Sequence, residues 1–126
     1  MKKTQFLLFG CMAAMALFSC SDEHAFHVDL HEPGSGQTFS IGDDIHCDFG
    51  IHSNSELTKY TIDIHGSDSL AWEYSFESPT SGTSVDIHRD IPIPASATPG
   101  EYHMEVWAYA QDGDSAGAEV HFNVIQ

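Results

Sequence analysis

The sequence predicts an all-β protein, an immunoglobulin/fibronectin-like β-sandwich of about seven strands. Three observations predict it. Apolar and polar residues alternate in almost every segment, the period of a strand with one buried face. Turn-forming residues interrupt the alternation at short intervals. No stretch carries a helical period.

The elements follow in order. Phe26, Val28 and Leu30 alternate with His27, Asp29 and His31, and Pro33-Gly34-Ser35-Gly36 ends this first strand. After Gly42-Asp43, a second strand alternates Ile45, Cys47, Phe49 and Ile51 with His46, Asp48, Gly50 and His52. Ser53-Asn54 leads to a third, with Tyr60, Ile62 and Ile64 against Thr61, Asp63 and His65. Trp72, Tyr74 and Phe76 form a short fourth, and Ser78-Pro79-Thr80-Ser81-Gly82 turns the chain. Val85 and Ile87 against Asp86 and His88 make the fifth. Pro99-Gly100 opens a sixth, in which Tyr102, Met104, Val106 and Ala108 alternate with His103, Glu105, Trp107 and Tyr109. Asp112-Gly113-Asp114 precedes the last, Val120, Phe122 and Val124 against His121 and Asn123. The sandwich therefore occupies residues 26–126.

The chain starts differently. Lys2 and Lys3 precede an apolar run from Phe6 to Phe18, a secretory signal too short to span a bilayer as a stable helix. Leu17-Phe18-Ser19-Cys20 resembles a bacterial lipobox. That resemblance implies a signal peptide of residues 1–19 and a lipidated Cys20, followed by a short acidic linker to residue 25. Several acyl chains on Cys20 would anchor the protein to a membrane, since one chain binds only marginally. Ser21-Asp22-Glu23 looks like the acidic tag of surface-exported Bacteroidetes lipoproteins, which implies the outer membrane; its inner leaflet stays an alternative. Cys11 leaves with the signal, so Cys47 is the one cysteine left to the domain, and no internal disulfide is available.

The stretch Pro99-Gly100-Glu101-Tyr102-His103-Met104-Glu105-Val106-Trp107-Ala108, then Asp112-Gly113, resembles a strand-entry corner of bacterial immunoglobulin-like and fibronectin-type domains. The resemblance implies that Tyr102 is a corner tyrosine with a packing role. Gly42-Asp43-Asp44-Ile45-His46, Leu57, Tyr60 and Ile62-Asp63-Ile64-His65 are similar to a family of small Bacteroidetes lipoproteins with a domain of unknown function. This likeness runs from about Gly42 to Val124 and implies a fold and an envelope location, but no activity. Those relatives often carry more histidines just after the position of His65; here Gly66-Ser67-Asp68-Ser69-Leu70-Ala71 has none.

Charge narrows the function further. All 19 acidic residues follow Cys20 against two basic ones, Lys59 and Arg89, a formal net charge of −17 with histidines neutral. Such a field repels nucleic acid and anionic lipid and attracts cations. All nine histidines lie in the same part, and Asp-(Leu/Ile)-His recurs at Asp29, Asp44, Asp63 and Asp86. The first, third and fifth strands read acid-x-His: Asp29/His31, Asp63/His65, Asp86/His88. The second and sixth read His-x-acid: His46/Asp48, His103/Glu105. Antiparallel neighbours would then set histidine beside histidine. The expectation is a row His31–His46–His88 beside a carboxylate row Asp29–Asp48–Asp86 on one sheet. On the other, His65 stands beside His103 and Asp63 beside Glu105. Opposed Cβ atoms are about 4.5–5.5 Å apart, so the imidazoles could share zinc, copper or nickel. The carboxylates would complete the shell or fix the histidine tautomers.

Other features point elsewhere. His24 and His27 belong to a flexible leader or a chelating arm; His52 and His121 read as solvated strand residues. Cys47 faces inward by parity, as a buried, inert thiol. Asp112-Gly113-Asp114 with Asp43 and Asp44 reads as hairpin turns rather than a calcium site. Trp107 and Tyr109 face outward, either as an aromatic contact surface for a partner or glycan or under a covering loop. No serine sits in a nucleophile elbow and no phosphate-binding glycine loop is present, so the chain reads as a non-enzyme. The function expected is a lipid-anchored envelope module that binds a divalent transition metal. The alternative is a metal-independent structural or recognition accessory of an outer-membrane uptake or surface complex, with an outer-membrane protein as partner.

Overall fold

A computed structural model of the protein describes residues 26–126. The segments expected as a signal peptide (residues 1–19) and as a lipidated Cys20 with its linker (20–25), His24 included, lie outside the described residues. Eight strands follow in order: β1 (His27–Glu32), β2 (Thr38–Ser40), β3 (Asp44–His52), β4 (Leu57–Gly66), β5 (Tyr74–Pro79), β6 (Ser84–Pro92), β7 (Gly100–Ala110) and β8 (Ser115–Ile125). They form an immunoglobulin/fibronectin-like sandwich. One sheet has the order β1-β3-β6, the other β2-β8-β7-β4-β5. Seven strands match the alternating segments. β2 was not expected: three residues are too few to show a period, and it pairs in parallel with the end of β8.

The inward positions build one core. Ile45, Cys47, Phe49 and Ile51 of β3 are fully buried, as are Ile62, Ile64, Met104, Val106 and Phe122 of the facing sheet. Phe49 meets Tyr60 across the sandwich, edge to face at 5.6 Å. Tyr102 is buried, and its hydroxyl donates to the Thr98 carbonyl at 2.7 Å, tying β7 to the chain four residues upstream. That is the corner role its sequence context implied. Cys47 packs its sulfur 3.9 Å from that of Met104, and burial, foremost, pushes its thiol pKa up to about 12. The thiol is inert at physiological pH.

Arg89 takes an inward position on β6, opposite Cys47. Its guanidinium lies 3.4 Å over the Phe76 ring, and its Nε–H donates to the Tyr74 hydroxyl at 3.3 Å. It therefore closes the edge between β6 and β5, apolar along its stem and hydrogen-bonded at its head.

Register corrects one expectation. His31, His46 and His88 do not stand abreast. On β3 and β6, His46 is opposite Asp90, Asp48 opposite His88, and Gly50 opposite Asp86. The pairing is displaced by two residues from the expected row. A two-residue displacement keeps every side chain on its own face, so inside–outside alternation does not resolve it. The inward partners Ile45–Ile91, Phe49–Ile87 and Ile51–Val85 fix it instead. Between β3 and β6 the result favours the charges, because acid there faces histidine and like charges directly opposite would destabilise that pairing. His31 leaves the row for another reason: a bulge between Leu30 and Glu32 gives it no partner on β3. The acid row dissolves with it, since Asp29 faces Gly50 and Glu32 faces Asp48.

Candidate metal centre

The outer face of the three-stranded sheet is built from the polar positions of β1, β3 and β6. Among the described residues, two groups there bring three donor atoms within 4.8 Å of one another: His46, Asp48 and His88, and His27, Asp29 and His52.

In the first group the His46 and His88 rings are near parallel, with centroids 6.3 Å apart. The His88 Nδ1 lies 3.5 Å from an Asp48 carboxylate oxygen. Asp48 is half-buried, which holds its carboxylate between the two more exposed imidazoles. The His46 Nδ1 is 2.7 Å from Asp90 Oδ1. In the neutral tautomer Nδ1–H donates to Asp90, and Nε2 keeps its lone pair for a ligand. Carboxylates of this kind orient metal-binding histidines and raise their basicity. Sequence reasoning missed Asp90. It is two residues beyond His88 on the same face of β6, so the parity was there but the register was not.

The same carboxylate affects protonation. The hydrogen bond that His46 donates to Asp90, foremost, and the nearby charges of Asp90, Glu32 and Asp48 raise the His46 pKa above its ordinary 6.5, with desolvation opposing. The folded pKa exceeds the unfolded one. The pair therefore contributes stability that is fully present below about 6.5 and lost as pH rises through the raised value. Metal binding competes with that proton, so affinity falls as pH drops through the same window. A proton NMR titration of the metal-free protein should show the His46 ring titrating above 6.5, and Asp90→Asn should lower its midpoint.

The second group contains His27, which the sequence assigns to a flexible leader or a chelating arm, and His52, which it assigns to a solvated strand position. His27 and His52 are directly opposite on β1 and β3, with ring centroids 5.0 Å apart at 27°. Asp29 Oδ2 lies 3.2 Å from His27 Nε2 and 4.0 Å from His52 Nε2. The detectable signal was parity, since His52 shares the outward face of His46 on β3.

The five-stranded sheet carries the row geometry that the other lacks. His65 is opposite His103, and Asp63 opposite Glu105, as strand order implied. The row extends to β8, where His121 faces His103 and Glu119 faces Glu105. Neighbouring rings are 5.5 and 5.7 Å apart. His121 instead pairs with Glu119 at 2.9 Å and Glu101 at 3.4 Å, and Asp63 accepts from the Ser75 hydroxyl at 2.6 Å. His65 and His103 belong to neither three-donor group. Beyond this row, Trp107 lies against β8: a methyl group on Gly117 would stand 2.7 Å from its ring. A neighbouring strand, and not a loop, receives the indole. Tyr109 is capped by the Lys59 ammonium, 5.1 Å from the ring centroid.

A family model for a domain of unknown function (DUF4625) matches residues 19–125. No curated protein matches significantly. Solved structures do. The fibronectin(III)-like modules of CbhA from Clostridium thermocellum are similar at 20% identity, over 77% of this chain and 93% of theirs, with a TM-score of 0.49. OgpA from Akkermansia muciniphila, solved catalytically inactive with an O-glycopeptide substrate, is similar at 13% identity with a TM-score of 0.55. That likeness covers 81% of this chain but 29% of OgpA, and it concerns the fold alone.

Proposed function

The chain belongs to the DUF4625 family, whose function is unknown, and on that premise we propose that it is a binding module for a divalent transition metal. The observation that carries this reading is the His46–Asp48–His88 group, whose donor atoms lie within 4.8 Å of one another on one sheet face. Two imidazoles and a carboxylate with open positions suit zinc, and also copper or nickel. Asp90 orients His46, and the rigid β3–β6 pairing holds the donors in place. The acidic surface concentrates cations around the site. The lipobox-like Leu17-Phe18-Ser19-Cys20 supports anchoring through Cys20 at the cell envelope, where the module would capture a metal or hand it to an outer-membrane protein.

Calorimetric titration of zinc into the full chain, kept in mild detergent without a polyhistidine tag, tests the reading. Saturable binding at pH 7.5 that a chelator reverses is expected, weakening as pH falls below the His46 pKa. Absence of saturable zinc, copper or nickel binding would overturn it.

A further inference from the structure

The second donor group surrounds a position where β3 lacks a side chain. Gly50 is buried, between Asp29 on β1 and Asp86 on β6, both directly opposite it. Its backbone does not call for glycine, because its φ lies outside the left-handed region. Space is the reason. A methyl group here would stand 3.3 Å from Asp86 Oδ1 and 3.5 Å from His52 Nε2, so both donors lean over the bare backbone. Glycine inside a strand weakens it and often marks close approach of a ligand.

We propose that His27, Asp29 and His52 form the three-donor core of a second site for a first-row divalent cation above Gly50, separate from the His46 centre; Asp86, whose Oδ1 overhangs the same glycine but lies outside that three-donor group, swings in as the fourth ligand. This rests on the metal-binding reading but uses none of that centre's residues. Strand rise of about 3.3 Å per residue sets His52 roughly 20 Å from His46 along β3.

The geometry fits a small ion. Bonds of about 2.0–2.1 Å in a tetrahedron place donors roughly 3.3 Å apart. His27 Nε2 and Asp29 Oδ2 are already 3.2 Å apart, and His52 Nε2 at 4.0 Å closes with a small ring rotation. The Ser84 hydroxyl lies 3.2 Å from His52 Nδ1 and can accept Nδ1–H, the tautomer that leaves Nε2 facing the site. Charge also balances. Two carboxylates flank one residue, and two neutral imidazoles with a divalent ion make a neutral assembly. Lys59 and Arg89, the Lys and Arg side chains among the described residues, are engaged elsewhere, with Glu77 and Tyr109 and with Tyr74 and Phe76.

Counting bound zinc by equilibrium dialysis of the full chain tests the site. Free zinc is set just sufficient to saturate the wild type, and folding is checked by circular dichroism. Two zinc ions per chain are expected for the wild type, and one each for His46→Ala, Asp86→Asn and Gly50→Ala. Asp86→Asn is isosteric and exposed, so it keeps the test decisive if Gly50→Ala perturbs the strand. Two ions retained by Asp86→Asn would overturn the proposal. So would a single wild-type ion that His46→Ala removes, which leaves the first centre standing. A wild type that binds no zinc would overturn both.

Discussion

Replacing Phe49 by alanine should destabilise the domain by about 3–5 kcal/mol, the cost of removing a large aromatic from a core that cannot collapse around the gap. Phe49 is fully buried at the centre of β3. Its neighbours across the sheet are Leu30 and Ile87, and Tyr60 meets its ring from the facing sheet. Each of these sits on a paired strand, so none can move in without breaking a ladder. A domain of this size has a total stability of about 5–15 kcal/mol. The variant should therefore unfold at much lower urea, with an unchanged slope. Phe49→Leu, which keeps most of the volume, should lose far less. A loss below about 1 kcal/mol for the alanine variant would mean that β3 does not anchor the core. It would then not be a rigid platform for its outward histidines either.

His46→Ala should raise the free zinc needed to shift the His88 ring resonance by roughly 100-fold or more. Loss of a carboxylate that only orients a metal-bound histidine typically costs about 10–100-fold in affinity. A direct ligand should reach at least the upper end of that range. Asp90→Asn should fall within it, because Asn can still accept from the His46 Nδ1–H but without the charge. His46 is exposed, so the fold should survive its removal. Reading the effect at His88 confines the measurement to this centre. His31→Ala should change nothing there, since the bulge takes His31 out of the ladder. Equal zinc dependence in wild type and His46→Ala would remove His46 from the ligand set.

The strands were legible because burial imposes a two-residue period, and Ile45-His46-Cys47-Asp48-Phe49 states it plainly. The corner at Tyr102 was legible for a similar reason, its context being local. The pairing of His65 with His103 followed from strand direction alone. The same argument misplaced His31, His46 and His88. Parity fixes which face a residue occupies, but the partner opposite depends on which apolar side chains interlock beneath, here Phe49 with Ile87. A bulge such as that at His31 leaves no mark in an alternating pattern. β2 was too short to show any. Gly50 was visible as a gap in the polar face of β3, yet its use of that gap appears only when Asp86 and His52 are seen leaning over it.

Nitrogen-detected NMR of the histidine rings during a zinc titration tests the central claim most directly. The account predicts that His46 and His88 shift together as zinc reaches saturation, with Nε2 of His46 as the ligated nitrogen and Nδ1 still bonded to Asp90. His65, His103 and His121 should stay in place at that concentration. Shifts confined to these three rings, or no shift in His46 and His88 at saturating zinc, would contradict it.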